Sequence, residues 1–336
     1  MKLNKGDTVL VTGGAGYIGS HITLSLLDSG HEVIVVDRDD TACKHLQKCL
    51  SRRKKLKVYN ADISNDVYMD GIMTNNDVKA VVHCAADISV PESMDNPLKY
   101  YENNVGKTLI LLERMRKHNI NLFVFSSSAA VYGTTKEADI LELTEQTPCR
   151  PISPYGESKL MVETILRKHS LRNPNFRYVS FRFFNVAGND IGNKIQDVRW
   201  RKKHNLVPKL FASVIDEKND FEVYGTNYDT KDGSCVRDYV HPYDIASAHM
   251  IALKEEKIIG TYNLGSSKGS SVWDVVKAAV SITEFEMEIL NGRARKGDPP
   301  ILLADSTRFR EATGWEPIYS LDEIVMTAYK AYKKVK

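Results

Sequence analysis

A glycine-rich segment between a predicted strand and a predicted helix constrains this chain more than any other feature. Gly13, Gly16 and Gly19 are spaced three residues apart, after the apolar run Thr8–Val11 and at the start of the helical pattern Tyr17–Asp28. Glycines at such positions let the backbone turn sharply and approach a pyrophosphate, which then lies at the helix N-terminus. The segment therefore predicts a dinucleotide-binding βαβ unit.

The acidic residue Asp37 ends the next predicted strand, Glu32–Val36. A carboxylate at that place accepts hydrogen bonds from the adenosine ribose and repels a 2′-phosphate, so it favours NAD over NADP. Arg38, the next residue, argues in the other direction because an arginine can accommodate that phosphate. We expect NAD as the cofactor.

Apolar strands alternate with helical stretches along the first half of the chain. Further strands are predicted at Leu56–Tyr59, Ala80–Cys84, Leu122–Phe125 and Tyr178–Phe183, and further helices at Thr41–Leu50, Asp66–Thr74, Leu98–Lys117 and Tyr155–Leu171. Near-continuous apolar strands are typical of sheets buried on both faces, and the alternation implies right-handed crossovers. The predicted fold class is α/β, a Rossmann-type doubly wound parallel sheet.

The alternating rhythm stops near residue 185. A polar, irregular stretch at 188–205 is followed by short helices, the strand Phe221–Tyr224 and the turn-rich segment 225–233. We expect residues 1–185 to form the NAD-binding domain, with 239–265 partly returning to it. Residues 186–336 are expected to form mainly a smaller C-terminal α/β lobe at the carboxyl edge of the sheet, where such folds bind ligands.

Tyr155 and Lys159 occupy positions i and i+4 of a predicted helix and therefore share one of its faces. A neighbouring ammonium and a positive nicotinamide ring are expected to lower the tyrosine pKa from about 10, which makes Tyr155 a base near neutral pH. Ser128 comes just after the predicted strand Leu122–Phe125, at the ligand-binding edge. We expect its hydroxyl to bind a substrate hydroxyl and relay the proton. These three are the candidate catalytic residues.

Composition narrows the classes of partner. The net charge of +3 is too small to indicate nucleic acid, and no apolar stretch reaches the roughly 18 residues of a membrane span. The N-terminus is polar and carries no signal-peptide pattern. Five cysteines without CxxC spacing favour thiols in a reducing cytoplasm over a disulfide framework or a zinc site. We expect a cytoplasmic protein with no bound metal.

With these residues in view, the sequence resembles the extended short-chain dehydrogenases/reductases, and most closely the UDP-glucose 4-epimerases among them. The similarity runs along almost the whole chain. It is carried by VTGGAGYIGSH at 11–21, NPLKYYENNV at 96–105, FSSSAAVYG at 125–133, SPYGESKLMVE at 153–163, RFFNVAG at 182–188, NLVP at 205–208, VRDYVH at 236–241, YNLGS at 262–266 and GDPP at 297–300.

The resemblance implies two sets of binding residues. Cofactor contacts are expected from Gly13, Gly16, Tyr17, Ile18, Gly19, Asp37, Asp62, Ile63, Ala85, Ala86, Asn103, Ser126, Tyr155, Lys159 and Phe184. Substrate contacts are expected from Ser128, Tyr155, Asn185, Asn205, Leu206, Tyr224, Arg237, Arg295, Asp298 and Leu302. The residue types suit these roles, because arginines bind a diphosphate through planar, charge-assisted hydrogen bonds and a tyrosine can pack on uracil.

The activity that the resemblance implies is that of an isomerase. Tyr155 takes the proton of the sugar 4-hydroxyl while hydride passes from C4 to NAD, the 4-keto sugar rotates, and hydride returns to its other face. Three departures qualify this expectation, the first being Gly106 and Lys107 in place of the more usual Asn-Gly after Asn103. Ile88 stands where relatives often have a lysine near the cofactor, and Leu302 stands where some have a bulkier tyrosine beside the sugar C2. The smaller leucine predicts some activity on UDP-GlcNAc and UDP-GalNAc.

The same motifs also occur in enzymes with other substrates. Epimerases of UDP-uronates or UDP-pentoses share the same motifs. A sugar-nucleotide dehydratase needs an acid and a base after the active hydroxyl residue, where this chain has Ala129 and Ala130. A protein that senses NAD without catalysis would have no need of the Tyr155, Lys159 and Ser128 set.

The predicted helices Leu98–Lys117 and Tyr155–Leu171 could form the four-helix interface of a homodimer, as in similar enzymes, or simply cover the sheet. We expect a homodimer.

Overall fold

The computed structural model describes residues 2–133, 142–202, 205–218, 220–294 and 299–335. The strands are β1 (Thr8–Thr12), β2 (Glu32–Asp37), β3 (Leu56–Asn60), β4 (Val78–His83), β5 (Leu122–Ser128), β6 (Glu142–Leu143), β7 (Arg177–Phe183), β8 (Asn185–Val186), β9 (Asp220–Tyr224), β10 (Val236–Val240), β11 (Gly260–Leu264), β12 (Gly269–Ser271), β13 (Glu288–Gly292) and β14 (Ile301–Ala304). The helices are α1 (Tyr17–Asp28), α2 (Asp40–Cys49), α3 (Asp66–Asn75), α4 (Val90–Asp95), α5 (Pro97–Tyr100), α6 (Lys107–Lys117), α7 (Pro154–Arg172), α8 (Leu206–Ile215), α9 (Pro242–Lys254), α10 (Val272–Thr283), α11 (Thr307–Thr313) and α12 (Leu321–Lys334).

The described residues divide into two compact units. The first comprises residues 2–133, 148–183 and 245–262. The second comprises the described residues of 142–147, 184–244 and 263–335. The chain therefore passes between the units several times.

The first unit is built on a seven-stranded sheet with the order β11-β7-β5-β4-β1-β2-β3. The pairs from β7 to β3 are parallel. Strand β1 is buried along its whole length, as are β7 and all but the first residue of β2, which is typical of a sheet covered on both faces. The predicted α/β class with a large parallel sheet is confirmed. Parallel pairing also brings the carboxyl ends of β4, β1 and β2 side by side.

Two predicted elements differ from the structure. The sequence predicts one helix over Leu98–Lys117, whereas α5 and α6 are joined by a π-helical turn at Tyr101–Gly106. The wider turn lets the buried Asn104 reach outside the helix, where its Nδ2 donates to Asp87 O at 3.0 Å. Strand β5 runs on through Ser128 because its serines stay in register with Phe181–Phe183 of β7.

The second unit has a sheet of order β12-β10-β14-β6, with β8 paired to β10, and a separate parallel pair of β9 and β13. Its apolar core is formed mainly by α8, α10 and α12. Within that core Trp200 stacks on Tyr332, with ring centroids 4.4 Å apart and 10° between the planes.

Candidate active site

The glycine segment forms a tight turn at the carboxyl end of β1. Gly13 has a φ of +68°, and a Cβ there would lie 2.6 Å from Ala85 N. A Cβ on Gly19 would lie 2.2 Å from Gly13 O. Gly16 N donates to Gly13 O at 3.0 Å and directly precedes α1. Because side chains would fill this turn, glycine is required at both tight positions, and the backbone is left open as a phosphate cradle at the helix start.

Asp37 is anchored beside this turn. Its Oδ2 accepts from Ala15 N at 3.2 Å and its Oδ1 accepts from Asp39 N at 3.0 Å. The side chain is buried, and strand β2 ends on it. The carboxylate is thus held at the carboxyl edge of the sheet, where it can accept from a ribose hydroxyl. The glycine turn and this carboxylate together fit a dinucleotide.

Arg38 is already engaged by protein groups. Its Nη1 donates to Asn103 Oδ1 at 2.9 Å, and its Nη2 forms an ion pair with Asp87. An arginine committed to a carboxylate is less available to a 2′-phosphate. The ion pair with Asp87 therefore makes Arg38 a weaker indication of NADP than the sequence alone suggests.

Four more of the expected cofactor residues lie around the same edge. Tyr17 and Ile18 open α1, and Ala85 and Ala86 follow β4, with Ala85 against Gly13. Ile63 is buried in the apolar core, so its side chain is turned towards the core. Ile88, at the place of the usual lysine, is 63% exposed and offers no polar group.

Asp62 has a partner that the sequence did not indicate. Its Oδ2 accepts from Lys107 Nζ at 2.6 Å, and its Oδ1 accepts from Ser64 Oγ at 2.7 Å. Burial alone would raise the pKa of Asp62. The hydrogen bonds from Lys107 and Ser64 lower it by more than burial raises it, so the carboxyl group stays ionised.

The three candidate catalytic residues come together at the start of α7. The helix begins after Ser153, whose Oγ accepts from Gly156 N at 3.2 Å. The Tyr155 side chain is hydrogen-bonded to Ser128, at the end of β5. One turn further, Lys159 Nζ donates to Ser126 O at 2.8 Å and lies 5.9 Å from the centre of the Tyr155 ring. A phenol, a hydroxyl and an ammonium therefore share one corner of the unit.

Burial dominates the ionisation of this group. It raises the pKa of Tyr155, and the bond with Ser128 opposes it. It lowers the pKa of Lys159 to about 8, and the carboxylate of Glu163 opposes that change. The expected fall of the Tyr155 pKa is thus not a property of the protein alone, because burial disfavours the phenolate more than its surroundings favour it. An additional positive charge is needed to make this phenol a base near neutral pH.

Sequence reasoning missed a buried ion pair directly behind this group. Glu163 lies one turn beyond Lys159, and its carboxylate pairs with Arg182 of β7 through two bonds of 3.0 and 2.6 Å. Ser127 Oγ donates to Glu163 Oε1 at 2.5 Å, and Arg182 Nη1 donates to Tyr132 Oη at 2.9 Å. The only signal in the sequence is the four-residue spacing of Tyr155, Lys159 and Glu163. The pair ties α7 to the ends of β5 and β7.

In the second unit, several expected substrate residues lie at ends of elements. Asn205 is the N-cap residue of α8, and Leu206 is the first residue of that helix. Tyr224 ends β9 and is 37% exposed, with Lys209 Nζ 6.0 Å from its ring centre. Lys209 was not among the predicted residues. An exposed aromatic ring can pack against a flat base.

Arg237 and Leu302 are partners across two parallel strands, β10 and β14. Arg237 Nη1 donates to Val236 O at 2.9 Å. The two expected residues are therefore neighbours on one sheet, which the sequence could not show because 64 residues separate them.

Phe184 and Asn185 begin the segment 184–244 of the second unit, in which β8 pairs with β10. Phe184 is buried. Asn185 forms a side-chain hydrogen bond with Tyr239, another residue that the sequence analysis did not single out. Burial raises the pKa of Tyr239 to about 12, so its hydroxyl stays protonated and can hold the amide in place.

Arg295 and Asp298 lie outside the described residues. Within the described ranges, no cluster of three His, Cys, Asp or Glu side chains could hold a metal ion. No helix in the described part of the chain is long and apolar enough to cross a membrane. All five cysteines fall in these ranges, and none forms a disulfide.

Comparison with known proteins gives a consistent result. A family model described as NAD dependent epimerase/dehydratase family matches residues 9–265. A UDP-glucose 4-epimerase of Lactobacillus helveticus is 39% identical over 329 residues, which covers 97% of each chain. The structure of UDP-glucose 4-epimerase from Bifidobacterium longum in complex with NAD+ and UDP has a TM-score of 0.87 at 34% identity, covering 97% of this chain and 98% of that one. The UDP-Glc/GlcNAc 4-epimerase of Campylobacter jejuni has a TM-score of 0.85 at 36% identity, covering 98% and 100%.

Proposed function

This chain belongs to the NAD dependent epimerase/dehydratase family, and from that premise we propose that it interconverts UDP-glucose and UDP-galactose by epimerisation at C4, with NAD as its cofactor. The observation that carries the proposal is the corner formed by Tyr155, Ser128 and Lys159 beside the glycine cradle. The relatives with which this chain aligns along nearly its whole length are described as 4-epimerases of UDP-sugars.

The glycine turn and Asp37 would hold the dinucleotide, through open backbone and a fixed carboxylate. When bound, NAD supplies the hydride acceptor and donor for C4 and a positive charge on its oxidised ring. That charge is what the buried Tyr155 phenol lacks in the protein alone. A positive charge near the phenol would favour the phenolate, as does the ammonium of Lys159.

Tyr155 then acts as the base that removes the proton of the sugar 4-hydroxyl and as the acid that returns it. Ser128, already bonded to Tyr155, orients the substrate hydroxyl and relays the proton. Lys159 is fixed on Ser126 O and keeps a positive charge beside the phenol. Because the sugar is oxidised and reduced in one cycle, the reaction has no net redox change.

In the second unit we assign uridine diphosphate binding to Asn205, Leu206, Tyr224 and Arg237, together with Arg295 and Asp298. Tyr224 and Arg237 support this assignment chemically, since one offers an exposed ring and the other a guanidinium. Tight binding of the nucleotide leaves the hexose free to turn between the two hydride transfers.

The direct test uses purified protein and UDP-galactose without added nicotinamide cofactor. We expect UDP-glucose to form until the two sugars reach equilibrium. Net release of NADH would instead identify a dehydrogenase, and loss of one water from the sugar would identify a dehydratase. A panel with UDP-uronates and UDP-pentoses separates the other 4-epimerases, because the true substrate should have the highest kcat/KM.

Leu302 supports the extension to N-acetylated sugars. The side chain is only partly exposed and is the strand partner of Arg237, and a leucine leaves more room than a tyrosine would. We expect measurable turnover of UDP-GlcNAc, and we expect Leu302→Tyr to reduce it far more than the turnover of UDP-galactose. Absence of UDP-GlcNAc turnover beside rapid UDP-galactose turnover would end this part of the proposal.

We also propose that the protein is a homodimer. Large apolar side chains are exposed along α4 to α7, at Met94 (60%), Leu98 (79%), Leu109 (47%) and Met161 (45%). Helices α4, α5 and α7 contact one another, and an apolar patch shared by neighbouring helices marks an interface, for which a cyclic dimer provides a second copy of the chain. Leu98→Glu should yield a monomer in analytical ultracentrifugation, whereas Ile318→Glu, at a 73% exposed position of the second unit, should not.

The five cysteines support a cytoplasmic location. None of them forms a disulfide, which suits a reducing compartment. Fractionation of the source cells tests this proposal. Recovery of the protein outside the cytoplasmic fraction would contradict it.

A further inference from the structure

Arg38 makes a contact that the proposed chemistry does not use. Its guanidinium reaches from the end of β2 to Asp87, which follows β4, and to Asn103 in the π-helical turn. Three separate segments of the first unit are joined by this one side chain. Neither the expected NAD-binding role of Asp37 nor the catalytic corner requires such a link.

The topology shows what the link crosses. Strand β1 lies between β4 and β2 in the sheet, and the glycine turn follows β1. On the β4 side, Ala85 N approaches the Cβ position of Gly13 to 2.6 Å. On the β2 side, Asp37 accepts from Ala15 N at 3.2 Å. The residues just beyond these two contacts are Arg38 and Asp87, so their ion pair spans the carboxyl end of β1 where the cradle is open.

We propose that the Arg38–Asp87 ion pair is a latch across the cofactor cleft, which must open whenever the dinucleotide enters or leaves. The inference rests on the proposed function for the identity of the dinucleotide. A catalyst that returns its cofactor to the starting state in each cycle gains from holding it, and a charged link across the cleft provides that retention without touching the reacting atoms.

The two side chains of the latch differ in how firmly the protein holds them. The Asp87 side chain is 13% exposed, and its backbone is held on both sides by Asn104, which accepts from Asp87 N at 2.9 Å and donates to Asp87 O at 3.0 Å. The Arg38 side chain is 49% exposed. Arg38 is therefore the part that swings, and Asp87 is the fixed catch.

The test measures cofactor exchange rather than turnover. Protein loaded with NAD is diluted into isotopically labelled NAD, and the loss of the original cofactor is followed by mass spectrometry. Uptake is measured with cofactor-stripped protein. Arg38→Met is compared with Arg53→Met, which breaks an exposed Arg–Asp pair of similar kind with Asp28, away from the cleft.

A latch slows entry and exit alike. We therefore expect Arg38→Met to accelerate both release and uptake by about two- to fivefold, the size expected for a partly exposed ion pair, with Arg53→Met unchanged. Asp87→Asn should have the same effect, and the double variant should add nothing because both changes remove one contact. High salt should bring the unsubstituted protein towards the Arg38→Met rates.

Several results would overturn the latch. Rates in Arg38→Met equal to those in Arg53→Met would show that the pair does not cover the cleft. Faster release with unchanged uptake would show that Arg38 instead binds the cofactor directly. If the variants change NAD exchange as expected but the unsubstituted protein does not epimerise UDP-galactose, the proposed function is refuted and the latch is supported. Failure of the unsubstituted protein to bind any NAD would refute both.

Discussion

Replacing the catalytic lysine by methionine should make the free protein more stable. Lys159 is 4% exposed, and burial lowers its pKa from 10.5 to about 8. At about 1.4 kcal/mol for each pKa unit, keeping this lysine charged in the folded state costs about 3 kcal/mol at neutral pH. Methionine has a similar length and no charge. Loss of the bond to Ser126 O reduces the gain by about 1 kcal/mol, so Lys159→Met should raise the free energy of unfolding by about 2 kcal/mol at pH 7.

The pH dependence gives the prediction its sign. Between pH 8 and 10.5 the unfolded chain binds a proton at Lys159 that the folded protein has lost, so the contribution of Lys159 to the stability of the unsubstituted protein rises with pH across this range. The charging cost that Lys159→Met removes is therefore complete below pH 8 and gone by about pH 10.5. Because the loss of the bond to Ser126 O remains, the advantage of Lys159→Met falls from about 2 kcal/mol at pH 7 to roughly zero near pH 10. The other titrating groups are common to both proteins, and the two whose pKa values Lys159 influences, His83 at about 3 and Cys84 at about 11, lie outside the range from pH 7 to 10.

Urea unfolding of cofactor-stripped protein at pH 7 and pH 10 measures this difference. Lys168→Met is the matched control, because it makes the same change at an exposed position of the same helix. We expect the control to change stability by less than about 0.5 kcal/mol at either pH. A Lys159→Met protein that is less stable than the unsubstituted one at pH 7, or a difference that does not vary with pH, would refute the reasoning. Turnover should be lost in either case.

Three further predictions concern the same unit. Tyr155→Phe should reduce turnover by at least about 10² because it removes the acid–base group, while UDP affinity measured by calorimetry stays the same; near-normal turnover would refute the assignment. Glu163→Gln should lower the free energy of unfolding by about 3 kcal/mol, since Arg182 is left buried without a counter-charge, whereas Ser127→Ala should cost about 1 kcal/mol; urea unfolding in which the serine change costs more would contradict this account. Asp37→Ala should shift the ratio of NADP to NAD affinity by about tenfold towards NADP, because the carboxylate no longer repels the 2′-phosphate; an unchanged ratio in a fluorescence titration would place Asp37 away from the ribose.

Local patterns predicted much of the first unit. The apolar strands, the glycine turn and the helix that begins at Tyr17 depend on residues close together in the sequence, and the structure has each of them within a few residues of the expected bounds. The i, i+4 spacing of Tyr155 and Lys159 is equally local, and in the structure Lys159 is buried and Tyr155 is half-buried one turn before it in α7.

The features that the sequence could not predict depend on contacts between distant segments. The pattern of polar and apolar residues in the π-helical turn before α6 would also suit a regular helix. The feature that distinguishes the turn is the hydrogen bond from Asn104 to Asp87, which lies far away in the sequence. The pairing of Arg38 with Asp87 and that of Glu163 with Arg182 likewise need the sheet order. The pKa of Tyr155 in the protein alone could not be predicted for a related reason, since spacing reveals a nearby cation but not how strongly burial opposes the phenolate.

Helix α7 holds all three serines at the end of β5. Tyr155 is bonded to Ser128, Lys159 to the carbonyl of Ser126 and Glu163 to Ser127, each one helical turn after the last. Adding or deleting one residue between the first and the last would rotate everything beyond it by about 100° and detach the downstream contacts together. This stretch can thus diverge by substitution but not in length, and anyone building chimaeras with a relative should place the crossover points before Ser153 or after Glu163.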